Sequence, residues 1–132
     1  MKNSKAFTLI ELCTITAIIA ILCAIAYPSY IHYLKISRRS DAHIELLKLA
    51  GVQEQFFLYS QQYSSLQNIN LASGSDNYVT QQGYYRITAT VTPSSYLLTA
   101  TAIGLQASDS ECQILTLAQN GFRDSTSHES CW

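Results

Sequence analysis

Three sets of residues in this 132-residue chain are of types and spacings that could do chemistry. The first is Glu11, the one charge in the apolar run from Phe7 to Tyr27. A carboxylate at hydrocarbon depth costs on the order of 3 kcal/mol, so it calls for a compensating cation. A cut between Ala6 and Phe7 would create one, a new α-amino group one helical turn from Glu11. In a helical assembly the Phe7 amine of one copy could then pair with Glu11 of the next, offsetting both charges in a dry core. Glu11 would act as a register device.

The second set is the cysteines. Cys13 and Cys23 lie within the apolar run, about 15 Å apart along a helix, too far to bridge each other, and read as small packing residues. Cys112 and Cys131 lie in the polar C-terminal region. Basic residues ahead of an apolar run point to export, and an oxidising compartment makes a Cys112–Cys131 disulfide the natural reading. Closing that loop would contribute about 3 kcal/mol in the chain-entropy account. No second cysteine pair stands beside them to complete a zinc site.

The third set would be catalytic groups, and they do not converge. His32 and His43 would be about 16 Å apart on one helix, His128 reads as a surface position, and Asp109 and Glu111 sit in a Ser-rich stretch that reads as a solvated turn. Phosphate-cradling glycine loops, a nucleophile elbow and HExxH are all missing from the sequence. The expectation is therefore no enzyme, no catalytic residue, no metal and no cofactor.

The elements that must position these residues follow from periodicity. As a helix, Phe7 to Tyr27 spans roughly 30 Å, a bilayer's hydrocarbon thickness. Cys13, Ala17, Ala20 and Ala24 place small residues on one face, a pattern that lets helices approach closely. Pro28 removes one helical hydrogen bond and predicts a kink, flanked by Tyr27, Tyr30 and Tyr33 at interface level. From Ile31 to about Tyr59 the pattern is amphipathic. Leu46, Leu49, Ala50, Gln53 and Phe57 should face a sheet, with Arg38, Asp41, Glu45 and Lys48 solvated or meeting neighbours. Gly51 within that helix predicts a bend or a close contact. Residues 60–82, rich in Ser, Gln and Asn, predict a connecting loop.

Beyond it the period becomes two. Tyr85, Ile87, Ala89 and Val91 alternate with Arg86, Thr88 and Thr90, and after a turn at Pro93 a second strand runs Tyr96 to Ile103. Cys112 to Ala118 predicts a third strand, and Asn120-Gly121 a turn into a short fourth around Phe122. The chain's net charge is −1, but beyond residue 60 two arginines face five carboxylates, a net of −3. This balance offers no basic patch for phosphate, and no nucleic-acid partner is expected.

Lys2 and Lys5, followed by Phe7-Thr8-Leu9-Ile10-Glu11-Leu12, resemble the class III signal of type IV pilins and pseudopilins. The Ala26 to Tyr30 string and the order of long helix, loop, antiparallel strands and terminal disulfide loop carry the resemblance over the whole chain. The ending, Leu115-Thr116-Leu117, Asn120-Gly121 and Cys131-Trp132, is similar to PilE-type minor pilins. The resemblance implies an α+β pilin fold, a long helix packed on an antiparallel four-stranded sheet. It divides the chain into leader 1–6, transmembrane and assembly helix 7–28, amphipathic helix 29–59 and head 60–132.

It further implies cleavage after Ala6, where the family has Gly, N-methylation of Phe7, and subunit assembly through Phe7 and Glu11. The implied partners are a prepilin peptidase and N-methyltransferase, a pilus assembly platform and other pilin subunits. The implied location is the inner membrane before assembly, with the leader cytoplasmic, and then the surface pilus. The expected function is that of a structural minor pilin supporting pilus biogenesis, twitching motility or adhesion. The alternatives are a pseudopilin of a type II secretion system, a surface adhesin or DNA-receptor pilin, and a domain released after Ala26 by an ordinary secretory cut. An uncleaved single-span anchor and a lipoprotein explain the residues less well. The anchor gives Glu11 no purpose, and Leu12 and Leu22 precede the cysteines where a lipoprotein needs a small residue.

Overall fold

A computed structural model describes residues 7–70, 77–125 and 131–132. Its first element is the helix α1, Leu9–Ser60, which runs through Pro28. Thr8 caps its start, where the Glu11 backbone N–H donates to Thr8 Oγ1 at 3.3 Å. The chain divides into two compact units, one ending at Leu34 and one spanning Lys35–Trp132.

In the first unit every helical residue from Leu9 to Tyr30 is exposed. The helix is held by its own backbone bonds, with hydropathy and length sufficient to cross a membrane.

In the second unit Ala42, Leu46 and Leu49 are fully buried and form one side of the core. The other side is a five-stranded antiparallel sheet in the order β1-β2-β3-β4-β5. Its strands are β1 Asn77–Val79, β2 Tyr85–Thr92, β3 Ser95–Ala102, β4 Ile114–Ala118 and β5 Arg123–Ser125. Inward positions alternate as the sequence predicts: Tyr85 and Ile87, then Tyr96, Leu98 and Ala100, then Leu115 and Leu117 are buried.

Two expectations are corrected. The sheet has five strands, not four, and the extra one lies inside 60–82, which is therefore not loop throughout. β1 is only three residues long, too short to display a period, and is defined by pairing Tyr78 with Ile87. Gly51 makes no close contact among the described residues, since a Cβ there would meet none of their atoms within 4 Å.

Gln53, fully buried, settles its amide on backbone: Nε2 donates to the Ser64 carbonyl at 2.6 Å and Oε1 accepts the Ser64 N–H at 3.3 Å. The pairing satisfies a buried carboxamide and fixes the exit from α1. Beside it Phe57 stacks on Tyr63 at 4.7 Å, and Tyr63 meets Tyr96 edge to face at 4.9 Å. The hydroxyls of Tyr63 and Tyr96 donate to Glu54.

Candidate functional site

Two places in the molecule hold the residues singled out by sequence, and each is built from local chemistry. At the start of α1, Phe7 and Glu11 stand on an exposed surface, with Phe7 73% accessible. Glu11 lies in the first turn, where the helix macrodipole favours an anion. Thr8-x-x-Glu11 is also the capping-box spacing, a helix-start signal in the sequence beyond those already read there.

The remaining hydroxyls of this apolar stretch are satisfied on the helix itself. Thr14 Oγ1 donates to the Glu11 carbonyl at 2.8 Å, and Thr16 Oγ1 reaches the Leu12 and Cys13 carbonyls, each at 3.0 Å. Cys13 and Cys23 are free thiols on the exposed surface. Ala6 lies outside the described residues, as does His128.

The second place is the end of the head. Cys112 and Cys131 form a disulfide with Cα atoms 5.6 Å apart. His43, half-buried on α1, donates through Nε2 to the Cys131 carbonyl at 2.8 Å and stacks its ring on Trp132 at 4.7 Å. Trp132 in turn donates Nε1–H to the Asp124 carbonyl at 2.8 Å, and the Arg123 guanidinium lies 5.2 Å from its ring centre. Burial, with Arg123 and Arg39 nearby, pushes the His43 pKa down and favours the neutral ring; the bond to Cys131 opposes this.

One turn away on the helix, Arg39 is buried and grips Asp109 with two bonds, at 2.7 and 2.8 Å, with Glu111 at 3.5 Å. The Arg39 hydrogen bond holds the Asp109 carboxyl below the usual carboxylate range, against the opposing effect of burial. Gln106, in the short 3₁₀ helix Gly104–Ser108, places Nε2 3.0 Å from Asp109 Oδ2, 3.1 Å from the Lys35 carbonyl and 3.2 Å from the Tyr85 hydroxyl, three acceptors that share its two N–H groups.

These contacts correct the expected solvated turn at Asp109 and Glu111. Asp109 is 2% exposed and fastens the turn to α1, while Glu111 remains on the surface. Glu45, expected to be solvated or to meet neighbours, is buried within the chain and accepts the Tyr78 hydroxyl at 2.8 Å and Lys48. Arg38 lies over the Tyr84 ring at 4.7 Å. Tyr78 lies 33 residues from Glu45, Arg39 70 from Asp109 and Cys131 88 from His43, so local periodicity carried no sign of these pairs.

Among the described residues no group of three His, Cys, Asp or Glu side chains could hold a metal ion. A long apolar helix, a head that folds its sheet onto that helix's later turns, and a disulfide-closed end together define a pilin-type subunit. The family model described as "Type IV minor pilin ComP, DNA uptake sequence receptor" matches residues 28–116, and the chain belongs to this family of type IV minor pilins. It is 42% identical over 66 residues to the type IV major pilin protein PilA of Myxococcus xanthus (strain DK1622), an alignment spanning half of this chain and 30% of that relative's length. A solved type IV pilin from Shewanella oneidensis superposes with a TM-score of 0.54 at 26% identity, covering 74% of this chain and 97% of that one. The chain is thus a type IV pilus subunit, and its family is one of structural proteins.

Proposed function

We propose that the chain is a membrane-stored minor pilin, cut between Ala6 and Phe7 by a prepilin peptidase, N-methylated at Phe7 and packed into the pilus by its assembly platform. The observation that carries this reading is the exposed apolar helix with one carboxylate, Glu11, in its first turn. Lipid before assembly and the helices of other pilin subunits afterwards are both apolar surroundings, so transfer between them need not expose the helix to water. Glu11 adds a polar pairing with a neighbour's Phe7 amine that lipid does not supply. Pro28 denies the Ala24 carbonyl its helical donor and so loosens the helix locally. The head, 60–132, supports adhesion or twitching through its exposed surfaces.

The test is the mature N-terminus of the native membrane protein, read by intact mass and terminal peptide sequencing. A chain beginning at methylated Phe7 supports the pathway. One beginning at Tyr27, or an uncut Met1, overturns it.

A second reading is DNA reception, favoured by the description of the matching family. The acidic balance of the sequence beyond residue 60 argues the other way. Arg38 on Tyr84 and Arg123 on Trp132 are the cation–aromatic pairs that would meet DNA. Binding through so few cations predicts a shallow salt dependence, a slope of about −2 in log affinity against log salt. Absence of binding at low salt would exclude this reading.

A further inference from the structure

An open recess of about 330 Å³ lies between the last turns of α1 and the turn at residues 66–70. It belongs to neither place described above. Its helix wall is set by spacing: Val52, Gln55, Phe56 and Tyr59 fall at i, i+3, i+4 and i+7, one face of α1. Its opposite wall is Asn68, Ile69 and Asn70.

That wall is held in place from below. The Gln53–Ser64 pairing anchors its start, Asn68 donates its backbone N–H to Ser65 Oγ at 3.3 Å and its side-chain Nδ2 to Ser64 Oγ at 3.1 Å, and the Asn70 N–H donates to the Gln67 carbonyl at 3.1 Å. Asn70 has φ +57°, a left-handed conformation that Asn tolerates better than most residues.

The chemistry of the lining is selective. It presents three carboxamides, those of Gln55, Asn68 and Asn70, and two aromatic rings, with Tyr59 84% exposed. Among the described residues that line it, none is charged. A phosphate or carboxylate ligand would find no cation there. A carboxamide offers donor and acceptor side by side, which matches neighbouring hydroxyls that each donate and accept. An exposed aromatic face offers an apolar platform for a ring's C–H side. The volume falls at the small end of ligand sites, which run from about 300 Å³ upward.

We infer that this recess binds a neutral saccharide, one or two pyranose rings in size, with Tyr59 as the stacking platform and Gln55, Asn68 and Asn70 reading its hydroxyls. The binding is a property of the surface of the unit Lys35–Trp132 and does not depend on cleavage or filament assembly.

The test uses the full chain, isotope-labelled, in phosphocholine micelles, which carry no sugar headgroup. It is titrated to millimolar concentration with galactose, glucose, mannose, N-acetylglucosamine and lactose. At least one sugar shifts the side-chain amides of Gln55, Asn68 and Asn70 and the ring signals of Tyr59. Tyr59→Ala weakens that binding about 10-fold, as expected for loss of an aromatic stack, whereas Tyr59→Phe retains it. The ring is on the surface, so neither change disturbs the core. No shift with any of the five sugars overturns the proposal, as does a shift that Tyr59→Ala leaves unchanged. Oligothymidylate shifting the same signals when no sugar does would replace it with base stacking.

Discussion

The two units of this chain solve the same problem in opposite ways. Up to Tyr30, α1 leaves its apolar side chains exposed, Leu9 at 82% among them. From Lys35 onward the same helix buries Ala42, Leu46 and Leu49 completely, together with charged residues, Arg39 and Glu45. In the head, apolar area finds its partner within the chain, and charge is taken inside because a specific partner awaits it. In the first unit the partner must be supplied from outside. The contrast separates assembly from folding, and substitutions in the two units should fail in different ways.

The largest effect is expected at Glu11. Glu11→Val should reduce incorporation into pili by well over 10-fold, since it removes the pairing proposed for a neighbour's amine, while the thermal midpoint of the head stays unchanged. Comparing shed pili with membrane stores by immunoblot, beside a melting curve, separates the two readouts. A fall in the midpoint would break the division between the units.

Next is Asp109→Ala, which strands the Arg39 guanidinium in the interior. Removing one partner of a buried pair costs about 3–5 kcal/mol, here moderated by Glu111 at 3.5 Å. Urea unfolding measures it, and a loss under ~1 kcal/mol would show that the pair is a surface-type contact.

Acid should act in two steps. The His43 pKa is depressed below its ordinary 6.5, so the folded state favours the neutral ring. Stability from this residue is present above pH 6.5 and is lost as pH falls through the folded value. Asp109, depressed below its ordinary 3.8, contributes stability that is present above that value and is lost as pH falls below it and through the lower folded value. Melting curves across pH should show the first decline below 6.5, and His43→Phe should remove that decline while leaving the more acidic one.

The smallest effect has the opposite sign. Gly51 is helical, exposed and surrounded by open space, so Gly51→Ala should stabilise the head by up to about 1 kcal/mol. If the same change lowers pilus incorporation, the glycine serves an approach by another subunit. If incorporation is unchanged, that use is excluded.

What the sequence made legible is what is local. The apolar run, the alternation of Tyr85, Ile87, Ala89 and Val91, and Cys112 with Cys131 all announce themselves over a few residues or by redox chemistry. The Phe7 to Glu11 segment could be singled out for the same reason, as one charge against an apolar background. Asp109 could not be assigned, because a carboxylate in a Ser-rich stretch looks solvated until Arg39, 70 residues earlier, is brought to it. β1 escaped because three residues display no period. The saccharide recess was hidden likewise: Tyr59 ends a helix, Asn70 ends a turn, and only folding sets them on opposite walls.

The threonines of the first unit have a consequence for how the helix chooses its surroundings. Thr14 and Thr16 keep their hydroxyls on their own carbonyls, so they make no demand on whatever lies next to them. The helix carries its solvation with it and is indifferent to exchanging one oily environment for another. In the proposed assembly, discrimination among neighbours would then be concentrated in a single anion, which would make recruitment closer to a one-bit lock than to a graded fit.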